Sequence, residues 1–405
     1  MRKWPGTEVI NKARVAGKVA VVGVHCAFDR IVSTKATKPR DVPRSFLDIT
    51  PQWLTAVLCS QIPGAEVLDV KSTGGSVGTT TRQGLALTLN RQAADAGIPT
   101  RLFTKSTDLY RQRLLLGLSG GIKGEICFYL KIRPHLEIEA PRGYYACLSH
   151  ASWRSMILME DVAVTKGARF ISTETHISRP MIEDSLANMA KWHGAFWDHP
   201  RFSADLHALR SPTEFLRNLD GFLSIAERAK AGLRSAQSVV PASLLARTDD
   251  VYEALHRSFE FNRSMPKTLL HGDPHVGQTY ITRDGRIGLG DWSEIMQGGW
   301  AYDFTYALVS SLTVADRRAW QEDLLRFYLD RLHAAGGPSL DFDDAWLSYR
   351  RHAPWPYLCW LMTLVGASAM TPEMQPKQVS LDIVSRMGHA IEDLDTLSAF
   401  ERRAS

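Results

Sequence analysis

Long apolar runs are missing from this sequence. The longest near its start, Val19 to Val24 followed by His25 and Cys26, is too short to cross a bilayer. It also follows a long mixed segment rather than a compact basic one, so no secretory leader is read there. Dense basic runs are equally scarce: Lys38-Pro39-Arg40-Asp41-Val42-Pro43-Arg44 is interrupted by Pro and Asp and reads as a solvated linker. With 48 Lys+Arg against 43 Asp+Glu, a formal net charge of +5, the chain suits a small anionic ligand and lacks a nucleic-acid footprint. Cysteines are few, five in all (Cys26, Cys59, Cys127, Cys147, Cys359), odd in number and without a C-x-x-C pair. That argues against zinc and a disulfide framework and fits a reducing cytoplasm. Internal repeats and low-complexity segments are absent.

What is present is an ordinary globular composition, 44% apolar and 22% charged over 405 residues, with room for a two-lobed enzyme. Residues 1–45 read as an extension or linker. Thr50 and Pro51 suit the N-cap and first position of a helix, with Trp53, Leu54, Val57 and Leu58 at helical spacing. From Val67 the period changes to two: a strand at 67–71, a Gly-rich turn at 73–78, a second strand at 79–89 with Leu85, Leu87 and Leu89 on one face, and a third at 100–105. A helical stretch over 108–133, interrupted at Gly120-Gly121, precedes strands at 144–148 and 155–159. Beyond Asp161 the chain turns helical, broken by a β-rich island at 268–289. The expected organisation is an α+β, two-lobed architecture: a nucleotide-binding lobe over 46–160 and a catalytic and acceptor-binding lobe over 161–405, joined near 159–162.

The most informative segment runs from His271-Gly272-Asp273-Pro274-His275 through Gln278 to Asp291-Trp292. Asp273 and Asp291 bracket a hairpin whose turn is Arg283-Asp284-Gly285. A hairpin folds its ends together, and two neighbouring carboxylates call for a cation or a shared proton. Magnesium with phosphate oxygens is one such cation, since it takes one or two carboxylates and leaves the rest of its shell to phosphate and water. The competing reading is a surface hairpin with incidental acids and a structural His271 or His275.

This segment resembles the catalytic and metal-binding loops of the aminoglycoside phosphotransferase / choline kinase group, especially its ecdysteroid-kinase-like and related bacterial branches, and its Gly-Gln form is also similar to bacterial maltokinases. The resemblance implies a protein-kinase-like fold using ATP and Mg2+, with Asp273 as the base that deprotonates an acceptor hydroxyl and Asp291 as the main magnesium ligand. Gln278 stands where the family carries a metal-binding Asn and offers the same amide oxygen on a longer stem. Asp303, in Gly299-Trp-Ala-Tyr-Asp-Phe, matches the family's buried structural Asp.

The same resemblance assigns Gly74, Gly75, Ser76 and Gly78 to a loop over the nucleotide phosphates, although an ordinary hairpin turn fits them equally. Lys105 becomes the lysine that reaches the α- and β-phosphates, and Glu125 its orienting partner. Glu160 and Val162 fall at the adenine-reading hinge by backbone position, while the Glu160 and Asp161 side chains read as a helix-capping pair. Met189, Trp192, His193 and Phe196 read as core packing. In the C-terminal helices Trp346, Tyr349, Trp355, Tyr357, Trp360 and Met362 are rich in aromatic surface, Pro354-Trp-Pro-Tyr357 is expected to break a helix and line a cleft, and Asp341, Asp343 and Asp344 read as a helix start. The implied activity is transfer of the γ-phosphate to a hydroxyl of a neutral, partly apolar small molecule, with no nucleic-acid or membrane partner. A nucleotide-binding pseudokinase is the alternative. A protein kinase is disfavoured because the chain passes from Asp291 to Gly298-Gly-Trp-Ala-Tyr-Asp303 without an activation segment.

Overall fold

The computed structural model describes residues 8–31, 35–366 and 375–401. The chain divides into two compact units: Met1–His135 with Pro141–Ala168, and Leu136–Ala140 with Arg169–Ser405. The first unit therefore runs past the joint expected at 159–162.

The first unit is built on a five-stranded sheet, β1 Val67–Val77, β2 Thr81–Leu89, β3 Arg101–Ser106, β4 Gly143–Ser149 and β5 Arg154–Glu160, in the order β1-β2-β3-β5-β4. Every neighbouring pair is antiparallel. Alternation sends Leu85 and Leu87 of β2 and Leu102 of β3 into a core with Trp53, Leu54, Met156 and Leu158. Leu89 packs against that core from its edge. The helix Pro51–Leu58 closes the core, with the Thr50 side chain accepting from Trp53 N at 3.1 Å.

Two expectations change here. The segment 73–78 is no turn: β1 continues to Val77 and the connection is Gly78–Thr80. Two of its glycines instead serve the strand itself. Gly74 sits at φ +115° beside a bulge, and a Cβ on Gly75 would overlap the Arg82 carbonyl. Of the stretch 1–45, Glu8–Ile31 forms a helix rather than a linker, while 1–7 and 32–34 lie outside the described residues. The helix is tied down at Asp29, which accepts from Arg113 at 2.9 Å and from Arg154 at 3.0 Å. As the sequence suggested, the helix Tyr110–Ser119 ends at Gly120, φ +85°, before Gly121–Cys127 begins.

The second unit is mainly helical and carries two small sheets. β6 Arg169–Phe170, β8 Thr279–Ile281 and β9 Ile287–Leu289 form one; β7 Thr268–Leu270 and β10 Met296–Gly298 form the other. The β8–β9 turn uses Gly285 at φ +84°, and the Asp284 carboxylate accepts from Thr282 Oγ1 at 2.6 Å. The strip Leu136–Ala140 is held to this unit by Asn188, which caps both polar groups of Glu139, and by Tyr280, which donates to the Glu139 carboxylate at 2.7 Å. The helical run breaks at His352–Ala353, just ahead of Pro354, which opens the next helix, Pro354–Thr363, because proline costs nothing in a first turn whose N–H groups have no intrahelical acceptor. Asp341 caps Phe342–Arg351, accepting from the amides of Asp343 and Asp344. Among the described residues no helix is long and apolar enough to cross a membrane.

Candidate active site

In the second unit the hairpin brings its ends together as its turn chemistry requires: Gly290 N donates to Gln278 O at 2.8 Å. The loop His271–Gln278 and the loop at Asp291 are then locked by two buried groups. His271, fully buried, places Nε2 2.9 Å from Gly290 O while its Nδ1 accepts from Asp273 N at 3.3 Å. Those partners put the proton on Nε2, and burial lowers the ring's proton affinity, so His271 is neutral. Asp303, also fully buried, accepts from His271 N at 2.6 Å, Gly272 N at 3.0 Å and His193 Nε2 at 3.3 Å. His193 is thus a satisfied core histidine, its other nitrogen 2.7 Å from Tyr328 Oη.

Asp273 projects from this scaffold. Its carboxylate keeps 29% of its side-chain surface exposed, yet burial of the rest pushes its pKa up to about 7, with the Asp291 charge adding to the rise and Tyr306 and Gln278 opposing it through hydrogen bonds. Gln278 Nε2 lies 3.4 Å from Asp273 Oδ2. Tyr306 in turn accepts from Trp360 Nε1 at 2.8 Å. His275 accepts from Gly277 N on Nδ1, packs edge-on against Trp360 at 5.0 Å and sits 3.6 Å from Asp273; burial lowers its pKa to about 4, so it is neutral. Asp291 itself has φ +50°, a left-handed conformation that costs a residue with a Cβ roughly 1 kcal/mol or more and persists where the surroundings impose it.

Three residues of this cluster have roles that the sequence does not indicate, although Trp360 stands out there as aromatic surface. Glu294 is buried enough that its carboxyl titrates above the ordinary range, held down in part by Arg210, with the Asp273 and Asp291 charges raising it further. The others are Tyr306 and Trp360 in their contacts with Asp273 and His275. Tyr306 follows Asp303 by three on the helix Ala301–Ser311, a spacing that shares a face and was legible in principle. Glu294 carries no such signal.

In the first unit Lys105 Nζ and Glu125 Oε1 meet at 2.7 Å, both nearly buried. Gly74, Gly75 and Ser76 are exposed on the β1–β2 hairpin, where the Gln83 side chain reaches back to Ser72 Oγ and Gly74 O. The Glu160 amide is engaged with Arg142 O, and the Val162 carbonyl accepts from Lys166 N and Ala168 N. Asp161 stands at the N-cap of Val162–Thr165 without a capping bond, and the Glu160 carboxylate instead accepts from Arg142 N at 3.1 Å and Thr165 Oγ1 at 2.8 Å. The expected capping pair is therefore not formed.

The Asp291 carboxylate and the Gln278 amide oxygen are hard oxygen donors of the kind magnesium takes. Among the described residues no group of three or more His, Cys, Asp or Glu forms a metal cage.

An antiparallel five-stranded sheet in one unit and, in the other, a helical body carrying the paired acidic loops make this an α+β protein of the protein-kinase-like class. The chain belongs to the phosphotransferase enzyme family, whose family model matches residues 111–342. Asp273, Gln278, Asp291 and Glu125 fall within that span, and Lys105 and the β1–β2 hairpin lie before it. Similar solved structures include a choline/ethanolamine kinase family protein from Mesorhizobium loti (16% identity, 85% of this chain and 96% of that one, TM-score 0.44). An ethanolamine kinase from Plasmodium vivax (12%, 80% and 81%, 0.44) and a choline kinase from Streptococcus pneumoniae (10%, 81% and 94%, 0.43) are further examples. None of the curated proteins matches the chain in sequence.

Proposed function

We propose that the protein transfers the γ-phosphoryl group of ATP to a hydroxyl of a small molecule. The observation that carries this reading is the locked pair of acidic loops, with Asp273 held near neutrality beside the Asp291 charge. A base with pKa near the working pH combines availability with driving force for proton transfer. Asp273 orients the acceptor hydroxyl and takes its proton as the new O–P bond forms and the bond to the β–γ bridging oxygen breaks, leaving ADP. Asp291 and Gln278 would hold Mg2+, which when bound neutralises charge on the phosphates. Neutral His275 and the Tyr306 hydroxyl fix the Asp273 carboxylate without competing for the proton.

The first unit takes the nucleotide: Lys105, held by Glu125, bonds the α- and β-phosphates, the hairpin at Gly74, Gly75, Ser76 and Gly78 covers them, and Glu160 and Val162 meet the adenine through their backbone. The second unit supplies the chemistry and the acceptor site. A neutral, partly apolar alcohol is the acceptor class, supported by the aromatic surface of the C-terminal helices rather than an acidic lining. The five thiols suit a reducing cytoplasm.

Calorimetry with a non-hydrolysable ATP analogue, with and without magnesium, tests this on wild type and Asp291→Asn. Asparagine keeps the left-handed backbone accessible, so a loss of affinity reports the ligand and not the fold. Magnesium-dependent binding weakened roughly tenfold or more by the substitution is expected; absence of nucleotide binding in the wild type sinks the proposal.

A further inference from the structure

Within the second unit, away from Asp273, Gln278 and Asp291, lies a cleft of about 780 Å³. Its walls carry the side chains of Arg210, Arg217, Arg263 and Lys267 against a single carboxylate, Glu214, whose oxygen already accepts from Ser211 N at 2.8 Å and Ser211 Oγ at 2.9 Å. It opens at the start of the twelve-residue helix Pro212–Leu223, the positive end of the helix dipole. Charge alone would make this a basic patch, but two buried polar atoms in the wall lack partners. Arg210 stacks on Phe215 at 4.6 Å and gives one terminal nitrogen to Glu294, while its other, Nη1, is buried with no acceptor. Gln297, 8% exposed, donates Nε2 to Leu209 O at 2.6 Å, and its Oε1 is buried with no donor. Leaving such groups unmade is costly, and together they describe a complement: an anionic acceptor for Arg210 and a hydroxyl donor for Gln297.

We propose that this cleft is a binding site for a small hydroxylated anion, a phosphomonoester or carboxylate that also bears a hydroxyl. Its anionic oxygens meet Arg210 Nη1 among the surrounding cations, and its hydroxyl donates to Gln297 Oε1. The site goes beyond the phosphotransferase reading and does not depend on it, although Arg210 physically joins it to Glu294 and so to the acidic cluster.

Calorimetry on the full chain tests it with four probes: glycerol 3-phosphate, glycerate, inorganic phosphate and glycerol, each with and without the magnesium–ATP analogue. Glycerol 3-phosphate or glycerate is expected to bind at one site in the millimolar range or below, whether or not the analogue is present, with the better of the two identifying the anionic group; glycerol is expected not to bind. Replacing the exposed Arg217 and Lys267 together by Ala should weaken binding roughly tenfold or more. Gln297→Leu should erase the preference for the hydroxylated anion over inorganic phosphate. No binding below about 10 mM, unchanged affinity in the Arg217→Ala/Lys267→Ala protein, or displacement by the analogue would each overturn the proposal, the last by placing the anion in the nucleotide's own site.

Discussion

In the role proposed for it, the Asp273 carboxyl would serve as a base and tax the fold at once. Because burial raises its folded pKa to about 7 from 3.8, the folded state binds its proton more tightly than the unfolded chain does. Its contribution to stability is therefore fully present below about pH 4 and lost as pH rises through about 7. Asp273→Asn should accordingly raise the melting temperature of the ligand-free protein at pH 8 and change it little at pH 4 while abolishing transfer, which thermal melts and a phosphoryl-transfer assay check together. In the wild type the transfer rate should fall as pH drops below about 7, because the base is then protonated, and bound magnesium should move that fall to lower pH. Asp303 is the opposite case, a carboxylate that never meets solvent. Asp303→Ala leaves two buried amides, His271 N and Gly272 N, without acceptors and should cost roughly 3 kcal/mol or more in denaturant unfolding. The closure of the hairpin between Asp273 and Asp291 is legible in the sequence because turn chemistry is a local rule, whereas the pairing of Lys105 with Glu125 is suggested by the family resemblance and not by spacing. The place of Glu294 is not legible, since its proximity to Asp273 arises from β7 pairing with β10, a tertiary event.

Among the elements, the helix Pro354–Thr363 sets the back wall of the loop at 271–278, since Trp360 holds Tyr306 and packs on His275. Its distance from the helix Ile225–Ala236 is fixed by Gly232, where a Cβ would overlap the Leu361 carbonyl. Gly232→Ala should force these helices apart, lower stability by about 1–3 kcal/mol, and reduce turnover more than nucleotide affinity; an unchanged ratio of the two would mean Trp360 does not position Asp273. Here the sequence reading was weaker. Glycines at 73–78 suggest a turn because glycine allows positive φ; Gly74 does adopt it, but inside a bulged strand, and Gly75 serves close strand approach. Prolines at 354 and 356 mark a helix boundary, but whether they close one helix or open the next depends on where the preceding helix stops. Both are cases where one residue property fits two backbone settings and only the neighbouring chain decides.

For the whole molecule, the change from period-two to helical patterning after Asp161 falls short of the end of the first unit at Ala168, and the assignment of Leu136–Ala140 to the second unit does not follow from any pattern, because it rests on Asn188 and Tyr280 far along the chain. Two units with separate cores need not unfold together, so one melting temperature is a poor measure of ligand binding here. Amide hydrogen exchange resolves the units separately. If the first unit holds the nucleotide, the analogue should slow exchange in the β1–β2 hairpin around 74–78, and if the acidic loops hold its magnesium, in the loop at 271–278. Protection should grow with ligand concentration as mass action requires, by about 2.7 kcal/mol at a hundredfold excess over the dissociation constant where opening exposes the site. Asp291→Asn should diminish both patches in parallel, because they report one ligand. Protection confined to the loop at 271–278 would instead mean that the first unit does not hold the nucleotide, and the roles assigned to Lys105 and the hairpin would fall while the chemistry assigned to Asp273 stood.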